Sequence, residues 1–107
     1  MATLIQPDGT ETDVQPRDGK RFKLDELQAF VGGYIEMVSN VGPDRRRFVL
    51  VVNDEGWVLD PPLAVNLKAT NFYRAKWGFR PIADTTGVGP GLGIAGPALY
   101  CLRTEID

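Results

Sequence analysis

The amino-acid sequence predicts one small α+β domain in which a mostly antiparallel sheet packs against two helices. Three observations predict this class. The chain has 107 residues, which leaves room for a single hydrophobic core. Hydrophobic residues make up 43% and charged residues 24%, as in ordinary globular domains. Strand-like segments joined by short turns are interrupted by two helix-like segments. We therefore expect a single domain over residues 1–107, in two layers with both helices on one face of the sheet.

The N-terminal third predicts a hairpin followed by a helix, which is a grasp-like beginning. Residues 3–6 are strand-like, the turn residues Pro7 and Gly9 follow, and residues 11–15 can return as a polar second strand. A charged loop leads to residues 24–31, where apolar residues recur at helical spacing. Acidic residues in the first turn and a glycine pair after the last turn favour this helix, because they suit its two ends.

The middle of the chain predicts two more strands. Residues 34–38 alternate in polarity, so Ile35 and Met37 are expected to share one face. Residues 47–53 contain five consecutive apolar residues, which is typical of a central strand covered on both faces. A turn follows, and residues 57–59 are expected to pair back.

The C-terminal part predicts a helix, a long loop and a last strand. The residues Asp60, Pro61 and Pro62 form a helix-start signature, so a helix is expected over residues 63–77, with Gly78 as its stop. Residues 81–97 are rich in Gly and Pro and predict a loop long enough to indicate function or mobility. Residues 98–103 predict the closing strand.

The composition argues against catalysis. The chain contains no His, which removes the usual general base and the commonest metal ligand. Its single cysteine, Cys101, cannot form an intrachain disulfide, and its position in a predicted strand indicates a buried apolar role. The carboxylates are scattered along the chain and do not match a Ca²⁺ loop. We expect no enzyme activity, no cofactor and no metal site.

Aromatic and arginine side chains are interleaved around the end of the second predicted helix. Tyr73, Arg74, Trp77 and Phe79 are of the types that anchor protein interfaces. The alternative is that these rings pack into the core, with at least one ring partly exposed. The interface interpretation makes these four residues candidates for binding a partner protein.

Basic and glycine-rich segments form a candidate anion site. Gly91 and Gly93 lie in a G-x-G-x-x-G match, but too little chain follows for a dinucleotide-binding unit. Bare backbone N–H groups of such a loop can still hold an anion, with Arg45, Arg46 and Arg47 as cations. The alternative is an ordinary turning loop and a solvated run of arginines that protects a sheet edge.

Charge and hydropathy restrict the location and the partners. The formal net charge is −2, which disfavours nucleic acid as a partner. No apolar stretch approaches the roughly 20 residues that span a bilayer, and the N-terminal residues do not resemble a signal peptide. We expect a cytoplasmic protein that makes no membrane contact.

Several segments together resemble a family of small uncharacterised domains found mainly in phages and other bacterial mobile elements. The resemblance spans roughly residues 3–103, and its most specific part is Gly32-Gly33-Tyr34-Ile35-Glu36. Other matching segments are Gln6-Pro7-Asp8-Gly9, Leu27-Gln28, Asn53-Asp54-Glu55-Gly56, Pro62-Leu63-Ala64-Val65-Asn66 with Ala69-Thr70, and Gly96-Pro97-Ala98-Leu99. The triple arginine and the long link before the last strand depart from the family pattern. The resemblance implies an accessory protein of a phage or plasmid and transfers no catalytic residue.

These observations lead to a first hypothesis of a non-enzymatic module that binds a host or phage protein and inhibits a host defence or regulatory complex. The alternative is a module that binds or sequesters a phosphorylated nucleotide. A homodimer formed by pairing of sheet edges is compatible with the small core. Weak nucleic-acid binding by the basic loops is disfavoured by the acidic balance.

Overall fold

The computed structural model describes residues 2–44 and 46–107, and these form two helices and five strands. The strands are β1 (Ala2–Ile5), β2 (Glu11–Val14), β3 (Ile35–Ser39), β4 (Phe48–Asn53) and β5 (Ala98–Leu102). The helices are α1 (Leu24–Val31) and α2 (Leu67–Lys76), and a 3₁₀ turn, Arg103–Glu105, follows β5. The α+β class and the order hairpin, helix, further strands are confirmed.

The strands form one antiparallel sheet in the order β2-β1-β5-β4-β3. The last strand of the chain therefore lies in the middle of the sheet, between β1 and β4. This insertion leaves β2 and β3 as the two edges. The apolar strand β4 is buried from Val49 to Asn53, as expected for a strand covered on both faces.

The two helices pack on opposite faces of the sheet, so the prediction of both helices on one face of a two-layer domain is wrong. Alternate residues of β4 and β5 supply two separate apolar clusters. One cluster contains Leu27 and Val31 of α1, and the other contains Ala69 of α2. The physical reason is the continuous apolar run of β4, since each of its faces needs its own cover.

Helix α1 has the predicted bounds because both of its ends are satisfied locally. The Glu26 side chain accepts a 2.8 Å hydrogen bond from the backbone N–H of Lys23, which precedes the helix. At the other end Gly32 adopts a left-handed conformation with φ of 84° and donates its N–H to the Gln28 carbonyl.

Helix α2 starts later than predicted, because Asn66 and not the Asp60-Pro61-Pro62 segment caps it. The Asn66 side chain accepts a 3.1 Å hydrogen bond from the Ala69 N–H. Before Asn66 the backbone is tied to other segments: Val65 forms a bridge with Ala95, and Ala64 accepts from the Gly96 N–H. Residues 57–59 lie in turns and not in the predicted returning strand.

The Gly/Pro-rich segment 81–97 contains no helix or strand, as predicted, but its end belongs to the core. Ile94 is buried in the cluster on the α2 face of the sheet, and Ala95 beside it is also buried. The Thr70 hydroxyl accepts a 2.9 Å hydrogen bond from the Ile94 N–H, and the buried Asn66 side chain donates to the Ile5 and Gly96 carbonyls at 2.8 and 3.0 Å. Asn66 thus joins α2, β1 and the end of the loop.

We expect Asn66→Ala to lower the free energy of unfolding by about 3 kcal/mol. The change removes a helix cap worth about 1 kcal/mol and two further hydrogen bonds worth about 1 kcal/mol each. Asn66→Ser is the matched control, because serine can still cap the helix but cannot reach the two carbonyls. Urea denaturation should place the serine variant between wild type and alanine; equal stability of all three proteins would contradict this role.

Candidate partner-binding groove

A groove of about 400 Å³ runs along β3 on the α2 face of the sheet. We call it the Trp77 groove. Strand β3, the C-terminal turn of α2, and the Gly-rich loop form its walls. Its lining residues are Glu36, Met37, Val38, Trp57, Tyr73, Lys76, Trp77, Gly91, Gly93 and Ile94.

The end of α2 fixes the position of Trp77 at this groove. The Gly78 N–H donates to the Ala75 carbonyl and the Phe79 N–H donates to the Arg74 carbonyl, which together form a Schellman motif. Gly78 takes the left-handed conformation that the motif needs, with φ of 80°. Because the backbone is fixed, Trp77 remains in place although 60% of its surface is exposed.

Aromatic and cationic contacts further restrain the Trp77 ring. The Tyr73 ring packs edge-on against it, with centroids 6.5 Å apart and planes at 77°. The Lys76 ammonium lies 5.4 Å from the Trp77 ring centroid. These contacts therefore hold the exposed Trp77 ring in position at the groove.

The loop wall of the groove is held by close backbone packing at Gly93. The Trp57 indole N–H donates a 2.9 Å hydrogen bond to the Gly93 carbonyl. A Cβ atom at position 93 would lie 2.6 Å from the Val88 Cγ1 and 2.7 Å from the Thr70 hydroxyl. Only glycine fits there without displacement of its neighbours, so this glycine serves packing and does not by itself indicate an anion site.

The structure divides the four predicted partner-binding residues into two pairs. Tyr73 and Trp77 line the groove, whereas Arg74 and Phe79 do not. The Arg74 guanidinium carbon lies 5.2 Å from the Phe79 ring centroid, and its Nε donates to the Arg80 carbonyl at 3.2 Å. Phe79 is nevertheless 58% exposed, so it provides a natural comparison for Trp77.

The residues of the candidate anion site do not line one cavity. Gly91 and Gly93 belong to the Trp77 groove, where Lys76 is the cation among the lining residues. Arg46 and Arg47 lie exposed just before β4, and the Arg47 guanidinium is 3.6 Å from the Asp44 carboxylate. Arg45 lies outside the described residues. Arg46 and Arg47 therefore lie on a different part of the surface from the glycine loop.

Sequence reasoning missed Trp57, Glu36 and Met37 as groove residues. The alternation of β3 gave a signal for Glu36, since it shares a face with the buried Val38. The local pattern at Trp57 predicts a returning strand, and it does not predict that the indole reaches the Gly93 carbonyl.

Several titratable groups of the described residues make structural contacts. Among residues 2–44 and 46–107 there is no cluster of three or more His, Cys, Asp or Glu residues that could hold a metal. Backbone N–H groups of adjacent turns lower the pKa of Asp8, Asp18 and Asp84. Burial, assisted by the charge of Glu105, raises the pKa of the Cys101 thiol to about 12. Cys101 is therefore a protonated core residue at neutral pH.

A protein-family comparison matches residues 1–106 to a domain of unknown function, DUF3846. The chain belongs to the DUF3846 family. No curated protein and no solved structure matches it. Within the described part of this DUF3846 chain, neither helix is long and apolar enough to cross a bilayer.

We expect Gly93→Ala to lower the free energy of unfolding by about 1–3 kcal/mol, because the new methyl group overpacks the contact with Thr70 and Val88. Gly89→Ala is the matched control, since no atom lies within 4 Å of a Cβ there and its φ is not positive. The control should be neutral or up to about 1 kcal/mol more stable. Denaturant titration measures both; a neutral Gly93→Ala would contradict the packing argument.

We expect Cys101 to resist alkylation in the native protein. The thiol is buried and its pKa is about 12, so the reactive thiolate is scarce at pH 8. Mass spectrometry after iodoacetamide treatment should show no adduct on native protein and one adduct after denaturation. Complete labelling of the native protein would show that the β5 core is open to solvent.

Proposed function

We propose that this DUF3846 protein is a non-enzymatic module that binds another protein through the Trp77 groove. The observation that carries the proposal is the exposed but ordered Trp77 ring at the edge of a groove. Side chains of this kind dominate the binding energy of protein interfaces, because they bury a large area and lose little conformational freedom.

The composition of the groove supports a protein partner. Tyr73, Trp57 and Trp77 supply aromatic surface, and Val38 and Ile94 add aliphatic side chains to the lining. Glu36 and Lys76 place one charge of each sign among these apolar groups. This mixture of aromatic centre and sparse charge is typical of a protein interface.

The class of partner is proposed from the family resemblance described above. Phages and plasmids encode small accessory proteins that act on host machinery, so the proposed partner is a host defence or regulatory complex that the module inhibits. We propose that this takes place in the cytoplasm. Binding alone is sufficient for inhibition of this kind, and no reaction is assigned to any residue.

Sequestration of a phosphorylated nucleotide is the alternative function. One observation favours it: Lys76 and the glycine loop line the same groove. Thermal denaturation in the presence of a panel of nucleotides distinguishes this alternative from protein binding. A ligand present at 100 times its Kd stabilises the protein by about 2.7 kcal/mol. An unchanged melting temperature with every nucleotide would remove this alternative.

We expect Trp77→Ala to weaken capture of the partner at least about tenfold, because a central aromatic anchor contributes 2 kcal/mol or more. Wild type, Trp77→Ala and Phe79→Ala serve as baits in host lysate, followed by quantitative mass spectrometry and titration of the captured protein. Phe79→Ala should bind like wild type, since Phe79 is equally exposed but outside the groove.

Equal losses in the two variants, or retention of affinity by Trp77→Ala, would contradict the assignment of the groove. Far-ultraviolet circular dichroism and the melting temperature establish that both variants are folded. If the protein still turned over a substrate after purification to homogeneity, that activity would contradict the non-enzymatic role.

A further inference from the structure

The two edges of the sheet differ in how well they are protected against pairing. Edge strand β2 exposes Glu11, Thr12 and Asp13, and charges on an edge discourage association. Edge strand β3 carries one charge, Glu36, and exposes Met37 with 52% of its surface accessible. The β3 edge is therefore the one suited to accept another strand.

Backbone hydrogen bonds show which groups of β3 face outward. The Asp54 N–H donates to the Tyr34 carbonyl at 2.8 Å, so residues 34 and 54 form a hydrogen-bonded pair. Such pairs alternate along an antiparallel ladder, so Glu36 and Val38 direct their backbone groups to β4. The N–H and C=O groups of Ile35, Met37 and Ser39 then point away from the sheet.

The charges around β3 are arranged by sign along the strand. Near its start lie the exposed carboxylates of Asp54 and Glu55. Among the described residues, the exposed Arg46, Arg47 and Arg103 lie near its end and are joined by hydrogen bonds, and the Asp44 carboxylate lies 3.6 Å from the Arg47 guanidinium. The Arg103 Nε donates to the Arg46 carbonyl at 3.1 Å, and the Arg103 N–H donates to the Arg47 carbonyl at 2.8 Å.

We propose that two copies of this chain form a twofold dimer by antiparallel pairing of their β3 edges. The register places Met37 opposite Met37 of the second copy and Ile35 opposite Ser39 of the second copy. All the outward-facing backbone groups are then used, in up to about six hydrogen bonds. The acidic start of each β3 meets the basic end of the other, so the edge is complementary to itself.

This dimer also extends the Trp77 groove. Glu36 and Val38 line the groove and lie on one face of β3. In the proposed register Glu36 of one copy lies beside Val38 of the other. The groove floor therefore continues across the twofold axis, and the dimer presents two Trp77 rings on one surface. The proposal concerns the purified chain alone, so it does not depend on the partner of the proposed function.

Sedimentation equilibrium over a range of concentrations tests the dimer. Wild type should reach about twice the chain mass of 11.8 kDa. Met37→Lys should raise the dimer Kd at least about tenfold, because two like charges would lie directly opposite each other. Thr12→Lys on the other edge is the matched control and should leave the Kd unchanged. Circular dichroism checks that the variants are folded.

A charge exchange tests the register independently of Met37. Glu55→Arg and Arg46→Glu should each weaken the dimer, and the double variant should restore it, since each changed residue again meets an opposite charge.

A chain that stays monomeric to about 1 mM, corresponding to roughly 4 kcal/mol of association, would overturn the proposal. So would a dimer that survives Met37→Lys, or a double variant no tighter than the single ones. Loss of dimerisation with retained partner capture would leave the proposed function standing.

Discussion

The structure depends on one constraint: the central strands β4 and β5 are buried on both faces. Helix α1 covers one face through Leu27 and Val31. Helix α2 has ten residues and does not cover the other face alone, so Ile94 of the Gly/Pro-rich segment completes the cluster. The Asn66 side chain donates to the Gly96 carbonyl and the Thr70 hydroxyl accepts from the Ile94 N–H, and these hydrogen bonds hold that segment against the sheet. A segment with the composition of a loop is therefore part of the core.

The candidate site is a consequence of this arrangement. The segment that closes the α2 face also forms a wall of the Trp77 groove, and the edge strand β3 forms the opposite wall. The same edge position gives β3 its outward-facing backbone groups. One topological feature, the edge position of β3, is thus shared by the proposed partner surface and the proposed dimer contact.

Much of the fold can be predicted from local patterns, and the remainder depends on distant contacts. The bounds of α1 follow from its spacing and caps, and the buried β4 follows from its apolar run. The start of α2 was misplaced because Asp60-Pro61-Pro62 carries a strong local signal, whereas Asn66 is selected by carbonyls of Ile5 and Gly96. Of the residues that line the groove, the sequence predicts only Tyr73 and Trp77 as partner-binding residues. Its other walls depend on contacts between residues distant in sequence, such as the hydrogen bond from the Trp57 indole to the Gly93 carbonyl, which joins residues 36 positions apart.

Hydrogen–deuterium exchange of the amides of Ile94 and Gly96 tests the central claim most directly. Their N–H groups donate to the Thr70 hydroxyl and the Ala64 carbonyl, so both should be protected to nearly the same degree as the β4 amide of Val51. The account predicts slow exchange at both positions although neither lies in a helix or strand. Exchange as fast as that of an exposed turn amide, with Val51 still protected, would show that the segment does not complete the core.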